Sequence, residues 1–300
     1  MMKVKERTIV QVIGHIVMII FALAAVLPFL LMIVASFTDS DWATANGFSF
    51  FPAQWSLEAY QYIANQWRTI GQAYLMTFLV TIVGTALSLL VVCLFAYGVS
   101  HTDYPGMKFL NFICVFTMLF NGGIVTTYYV WTNYFNIRNS FWALVLPNLL
   151  MSAFNVMLVK NYFKFSIPES LLEAARIDGA GEIRIFAKIV MPLSLPILAT
   201  IGLMTAITYW NDWTNGLYYL TDRGGSHLFT IQLVLNKINE NINFLAQNAS
   251  ALGSGVDVSS IPTTTARMAI AVVGILPILI AYPFFQRFFV KGIMLGGVKE

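Results

Sequence analysis

The sequence predicts an all-α integral membrane protein with six transmembrane helices. Three observations carry that expectation. Of 300 residues, 58% are hydrophobic and only 10% charged, whereas a soluble domain carries about 25% charged residues. Six long windows contain no Asp, Glu, Lys or Arg. The basic residues also fall unevenly between the two sides that those windows define.

A soluble chain of this length cannot cover its surface with so few charges. A lipid solvent removes the difficulty, because the outer surface can then be apolar. About 20 uncharged apolar residues suffice for one span. The windows cover roughly 9–37, 69–98, 109–131, 140–159, 189–210 and 268–285. The first two exceed the minimum, which predicts tilt or a surface turn at their ends. The first follows Lys3, Lys5 and Arg7 and resembles a signal peptide at its start. Its apolar run is far longer than a signal core, so it reads as an uncleaved span.

An even number of spans puts both termini on one side. Twelve of the 17 Lys and Arg lie on that side, among them Lys160, Lys164, Arg176, Arg184 and Lys188. Only Arg68, Arg138, Arg223, Lys237 and Arg267 lie opposite. The termini are therefore expected in the cytoplasm. The expected division is a first span with its outer loop in 1–68, a five-helix transmembrane domain in 69–290 and a cytoplasmic tail in 291–300. Outward-facing segments fall at 38–68 and 211–267, the latter with a polar stretch at 236–260.

The net charge of +3 gives no argument for nucleic acid. Cys93 and Cys114 sit inside apolar runs and read as small buried hydrophobes. His15, His101 and His227 are isolated, so no metal site is expected. The chain has no nucleophile–base pair or paired carboxylates at a plausible spacing, which argues against an enzyme. It also lacks a Gly-x-x-x-x-Gly-Lys-[Ser/Thr] phosphate loop.

The segment 160–188 is the most informative. Ser166 and Glu169 have capping-box spacing, with Pro168 in the first turn. Glu173, Ala174 and Ala175 are good helix formers, and Gly179 is expected to end the helix. A second helix is expected from about Glu182 to Val190, ended or kinked by Pro192. On it Phe186, Ile189 and Val190 share one face. The product is a compact helix-turn-helix with small exposed residues. Physics alone leaves two readings open: a docking element for another protein, or an amphipathic connector lying on the bilayer.

The string from Glu173-Ala-Ala through Gly179 to Ile189-Val-Met-Pro192 resembles the EAA loop of bacterial ABC importer permeases, with Met191 where Leu is usual. Glu-Ala-Ala-Arg-Ile-Asp-Gly-Ala, residues 173–180, resembles the carbohydrate branch. So do Tyr209-Trp-Asn-Asp-Trp213 and the tail from Phe289 to Lys299. Met118-Leu-Phe-Asn-Gly-Gly123 and Arg138-Asn-Ser-Phe-Trp142 resemble its oligosaccharide and lipoprotein/polysaccharide type members. The resemblance covers essentially the whole chain. It implies a type I ABC permease fold in which the loop 166–192 forms a cytoplasmic coupling helix docked on an ATPase subunit. By motif match Glu173, Ala174, Ala175, Asp178 and Gly179 make or shape that contact, with Phe186 and Pro192 in the same loop. The tail 291–299 is a further candidate contact.

The resemblance also implies a second permease subunit, two ATPase subunits carrying ATP and Mg, and an extracytoplasmic sugar-binding protein. This chain would bind no cofactor itself. The expected location is the bacterial cytoplasmic membrane, and the expected cargo is an oligosaccharide. Sugar recognition uses aromatic faces and amides. Trp210, Asn211, Asp212, Asn121, Tyr128, Asn148 and Asn155 are therefore candidates for the transport path. The sequence leaves two other readings open, an ABC permease for a non-sugar solute and an ATP-independent secondary transporter.

Overall fold

In a computed structural model, residues 4–100, 104–248 and 263–295 are described; their regular elements are all helices, with no named strand among the described residues. The elements in order are α1 (Val4–Ser36), α2 (Ser40–Asn46), α3 (Glu58–Ala64), α4 (Trp67–Ser100), α5 (Met107–Leu119), α6 (Gly123–Tyr129), α7 (Trp142–Val145), α8 (Ala153–Ser166), α9 (Glu169–Ile177), α10 (Glu182–Ile185), α11 (Met191–Leu193), α12 (Leu195–Asn211), α13 (Thr214–Tyr219), α14 (Ile231–Asn248) and α15 (Thr263–Leu295). The chain divides into two units. Part of the polar stretch 236–260 and the end of the tail 291–299 lie outside the described residues.

One unit comprises Met1–Arg68 and Leu235–Pro277. In α1, Val10–Ser36 is apolar and long enough to cross a membrane, and none of its most apolar stretch is buried inside the chain. Lipid is the solvent that such a surface fits. Past its end, the Ser36 hydroxyl meets Tyr60 Oη at 2.8 Å, and the Phe37 and Tyr60 rings lie 4.7 Å apart. Asp39 Oδ1 accepts the Trp42 N–H at 2.9 Å, capping α2. Leu235, Ile238 and Ile242 form a buried stripe at helical spacing.

The other unit comprises Thr69–Val234 and Ile278–Glu300. Its longest helix is α4, apolar enough to cross a membrane. Its buried residues Ile70, Ala73, Thr77, Val80, Gly84, Ser88, Val92, Ala96 and Val99 recur every three or four positions. Val92, Cys93, Ala96 and Val99 pack in one core with Val156, Val159 and Phe163 of α8 and with Ile185, Phe186 and Val190. Cys93 and Cys114 are both buried there, as their apolar runs predict. A second core joins Val80, Leu144, Val145, Tyr209, Leu220 and Leu228.

Three of the six windows are interrupted. The window 109–131 breaks after α5. Phe120 is extended, Gly123 has φ +78°, and Asn121 Oδ1 accepts the Gly123 N–H at 2.9 Å. The window 140–159 holds only α7 and the start of α8. Between them Pro147 brings no N–H to the helix ladder, and Asn148 is left-handed at φ 59°. The window 189–210 bends by 80° between Leu193 and Leu195. Prolines at 192 and 196 flank that bend, which the sequence places at this junction. The described residues therefore include two helices long and apolar enough to cross a membrane, or three with the bent pair counted as one span.

Candidate functional site

The segment 166–192 folds as a helical elbow. Its first helix starts later than capping-box spacing suggests. Ile167 precedes Pro168 and is held extended at φ −103°, ψ 118°. A helix capped by Ser166 would need Ile167 in the helical region, so Ser166 instead ends α8. Pro168 takes the N-cap position of α9 without a side-chain cap.

The other end follows the sequence. Gly179 has φ +80°. Its N–H donates to Arg176 O at 3.0 Å, and the Ala180 N–H donates to Ala175 O at 3.0 Å. Those two bonds are a Schellman cap, with glycine in the left-handed position. The chain then enters α10, which widens into a π-helical turn over Phe186–Val190 before α11. Pro192 does not end this helix; it lies within α11, and the break comes at Ser194.

Glu173, Ala174, Asp178 and Gly179 are exposed on the elbow, while Ala175 is half-buried. Phe186, expected with them, is buried among core residues, its ring tilted against that of Tyr97 with centroids 5.2 Å apart. It anchors the elbow and does not form its outer face, because its helix turns that side towards α4 and α8. Pro192 is exposed. Two residues that motif reasoning passed over are prominent. Ile177 and Ile183 are 85% and 86% exposed on either side of Gly179. Two apolar side chains in open solvent beside a glycine turn form an unpartnered patch.

Glu182 joins three elements. Its Oε2 accepts the Tyr97 hydroxyl of α4 at 2.5 Å, and its Oε1 accepts Arg176 Nε of α9 at 2.8 Å. Donating that hydrogen bond to Glu182 raises the Arg176 pKa above its ordinary value.

The candidate path residues are dispersed, and most already have local partners. Trp210 is buried against Tyr74 and Phe78, with centroids 6.3 and 5.1 Å away. Asn211 is exposed. Asp212 Oδ1 accepts from Thr214 Oγ1 at 2.6 Å and from the Thr214 and Asn215 N–H groups, which opens α13. Burial raises the Asp212 pKa, and those hydrogen bonds oppose the rise. Asn121 holds the turn before α6, and Tyr128 stacks on Tyr219 at 5.7 Å. Asn148 sits exposed in the left-handed turn, while Asn155 is buried and donates to Thr205 Oγ1 at 3.3 Å.

Other side chains hold the interrupted window. Tyr209 Oη donates to Val145 O at 2.8 Å, and Asn215 Nδ2 donates to Pro147 O at 3.0 Å. Carbonyls left outside a helix at membrane depth need such partners, since lipid offers none. Tyr209 was legible in sequence only as part of an aromatic string, and Asn215 carried no signal.

Long apolar helices and side-chain caps on irregular backbone define a helical membrane protein. The chain belongs to the family described as "Binding-protein-dependent transport system inner membrane component", whose model matches residues 62–295. It is accordingly a permease of an ABC importer. It is 42% identical over 282 residues to the polygalacturonan/rhamnogalacturonan transport system permease protein YtcP of Bacillus subtilis (strain 168), covering 94% of this chain and 95% of the relative. It is 34% identical over 274 residues to protein LplC of the same organism, covering 91% and 89%. Among solved structures, a chain of a bacterial ABC transporter involved in import of the acidic polysaccharide alginate matches with TM-score 0.77 and 29% identity, over 96% of this chain and 99% of that one.

Proposed function

We propose that this permease imports an oligosaccharide, and that the elbow around Gly179 is the element through which separate ATPase subunits drive it. The observation that carries the reading is the exposed apolar pair Ile177 and Ile183 beside the Gly179 turn, in a chain with no phosphate loop. Such a surface suits the cleft of a protein partner. ATP and Mg would reside on two ATPase subunits, with this chain binding no cofactor. A second permease and an extracytoplasmic binding protein complete the machine. The names of the relatives support the cargo class: YtcP transports polygalacturonan or rhamnogalacturonan, and the solved transporter takes alginate.

On this reading the chain crosses the cytoplasmic membrane six times, with both termini inside. The domains are 1–68, 69–290 and the tail 291–300. The interrupted windows count as spans whose freed carbonyls are capped from within. Closure of the ATPase pair pulls the docked elbow through Glu173, Ala174, Ala175, Asp178 and Gly179, and the bend before α12 lets the spans rock between two states. Trp210, Asn211, Asp212, Asn121, Tyr128, Asn148 and Asn155 are the candidates for the cargo path. Deleting residues 173–179 is expected to abolish ATP-dependent uptake and ATPase co-purification while the chain still assembles in the membrane. Normal uptake by that variant refutes the coupling role. For cargo, the cognate binding protein is expected to bind oligogalacturonides and ignore amino acids; the reverse result overturns the sugar assignment.

A further inference from the structure

The geometry points to Glu182 as a positioning residue: through Tyr97 and Arg176 it makes the inner end of α4 move with the elbow. This inference rests on the docking role proposed above. It concerns what happens on the permease side of the dock.

The two oxygens of one carboxylate take hydrogen bonds from two different helices. Tyr97 Oη reaches Oε2 at 2.5 Å, and Arg176 Nε reaches Oε1 at 2.8 Å. Hydrogen bonds to a charged acceptor are shorter and stronger than neutral ones. Two of them on opposite oxygens also fix the plane of the carboxylate. Arg176 lies in the last turn of α9, three residues before Gly179. Tyr97 lies in the last turn of α4, where its ring also meets Phe186 at 5.2 Å and Phe163 at 6.4 Å. A displacement of α9 therefore reaches α4 through Arg176, Glu182 and Tyr97 in series. The apolar contacts around Phe186 resist separation, but they have no direction. The carboxylate supplies a directional link between the helix ahead of the turn and the long span.

The test uses the complete complex, with partner permease, ATPases and binding protein, carrying a spin label on α4 at the exposed Leu94. ATP is expected to shift the distance from this label to a second label on the ATPase subunit. Tyr97→Phe keeps both ring contacts and removes only the hydroxyl. It is expected to assemble and hydrolyse ATP normally, with a smaller label shift than the wild type. Glu182→Gln, which keeps an acceptor oxygen, is expected to retain more of the shift than Glu182→Ala. A full shift in both Tyr97→Phe and Glu182→Ala overturns the inference. Failure of Tyr97→Phe to assemble also overturns it, since the link would then serve folding. The docking role fails separately if deletion of residues 173–179 leaves the ATPases bound.

Discussion

Gly84 of α4 lies directly beneath the ring of Tyr209 on α12. A Cβ built on Gly84 would stand 2.5 Å from Tyr209 Cζ, closer than any real side chain sits. Glycine is required here for close helix approach rather than for backbone freedom, as small residues permit between membrane helices. Gly84→Val must push the ring away. Overpacking of this kind costs about 1–3 kcal/mol. The variant is expected to melt at lower temperature than the wild type in detergent, and an unchanged melting point would show that the ring yields freely.

The same ring carries the hydroxyl that satisfies Val145 O, while Asn215 satisfies Pro147 O. Val145 ends α7, and Pro147 lies in the interrupted stretch between α7 and α8. Tyr209→Phe and Asn215→Leu leave those carbonyls unpaired, at a cost of about 1–3 kcal/mol for each buried group. Hydrogen exchange is expected to rise in residues 142–152 for each variant and to stay unchanged in α5. Uniform exchange across both segments would remove the capping role.

How much of this was legible in the sequence follows from which forces were local. The apolar windows announced α1 and α4, because hydropathy alone selects them. Gly179 announced the end of α9, because a left-handed cap is a one-residue property. The Ser166 capping box misled, since the dihedral limits on a residue before proline outrank side-chain capping. The interruptions near Asn121 and Asn148 hid inside uncharged windows, which measure polarity and not backbone continuity. Glu182 and Tyr97 are 85 residues apart in sequence. Nothing near either residue names the other. Five of the seven path candidates were reasonable residue types whose polar or aromatic groups the fold had already engaged locally.

Asp212 offers a pH test. Burial raises its pKa, so the folded state holds the proton more tightly than the unfolded chain does. This group's contribution to stability is thus fullest below the unfolded carboxylate pKa and is lost as pH rises through the folded value. At neutral pH the ionised carboxylate is a net burden, which the Thr214 and Asn215 donors only reduce. Asp212→Asn keeps an acceptor for those donors and removes the charge. It is expected to melt above the wild type at pH 7, with the gap narrowing as pH falls towards the carboxylate range. A gap that widens on acidification reverses the sign and contradicts the burial account.

Gly179 separates backbone from surface effects at the elbow. Its φ of +80° lies in the left-handed region, and a Cβ added there meets nothing within 4 Å. Any effect of a side chain on the fold is therefore conformational. For an ordinary residue the left-handed conformation costs about 1–2 kcal/mol, and asparagine tolerates it best. Valine is worse, because β-branching crowds that region. Proline is excluded twice, by its fixed φ and by loss of the N–H that donates to Arg176 O. On folding alone, melting temperatures are expected to fall in the order Gly, Asn, Ala, Val, Pro. If the turn also docks against an ATPase, Asn preserves the fold while adding bulk at the contact. Gly179→Asn is then expected to assemble and to melt only slightly below the wild type, yet lose ATPase co-purification and uptake. Full uptake by Gly179→Asn would mean that only the turn matters and that the partner does not approach it closely.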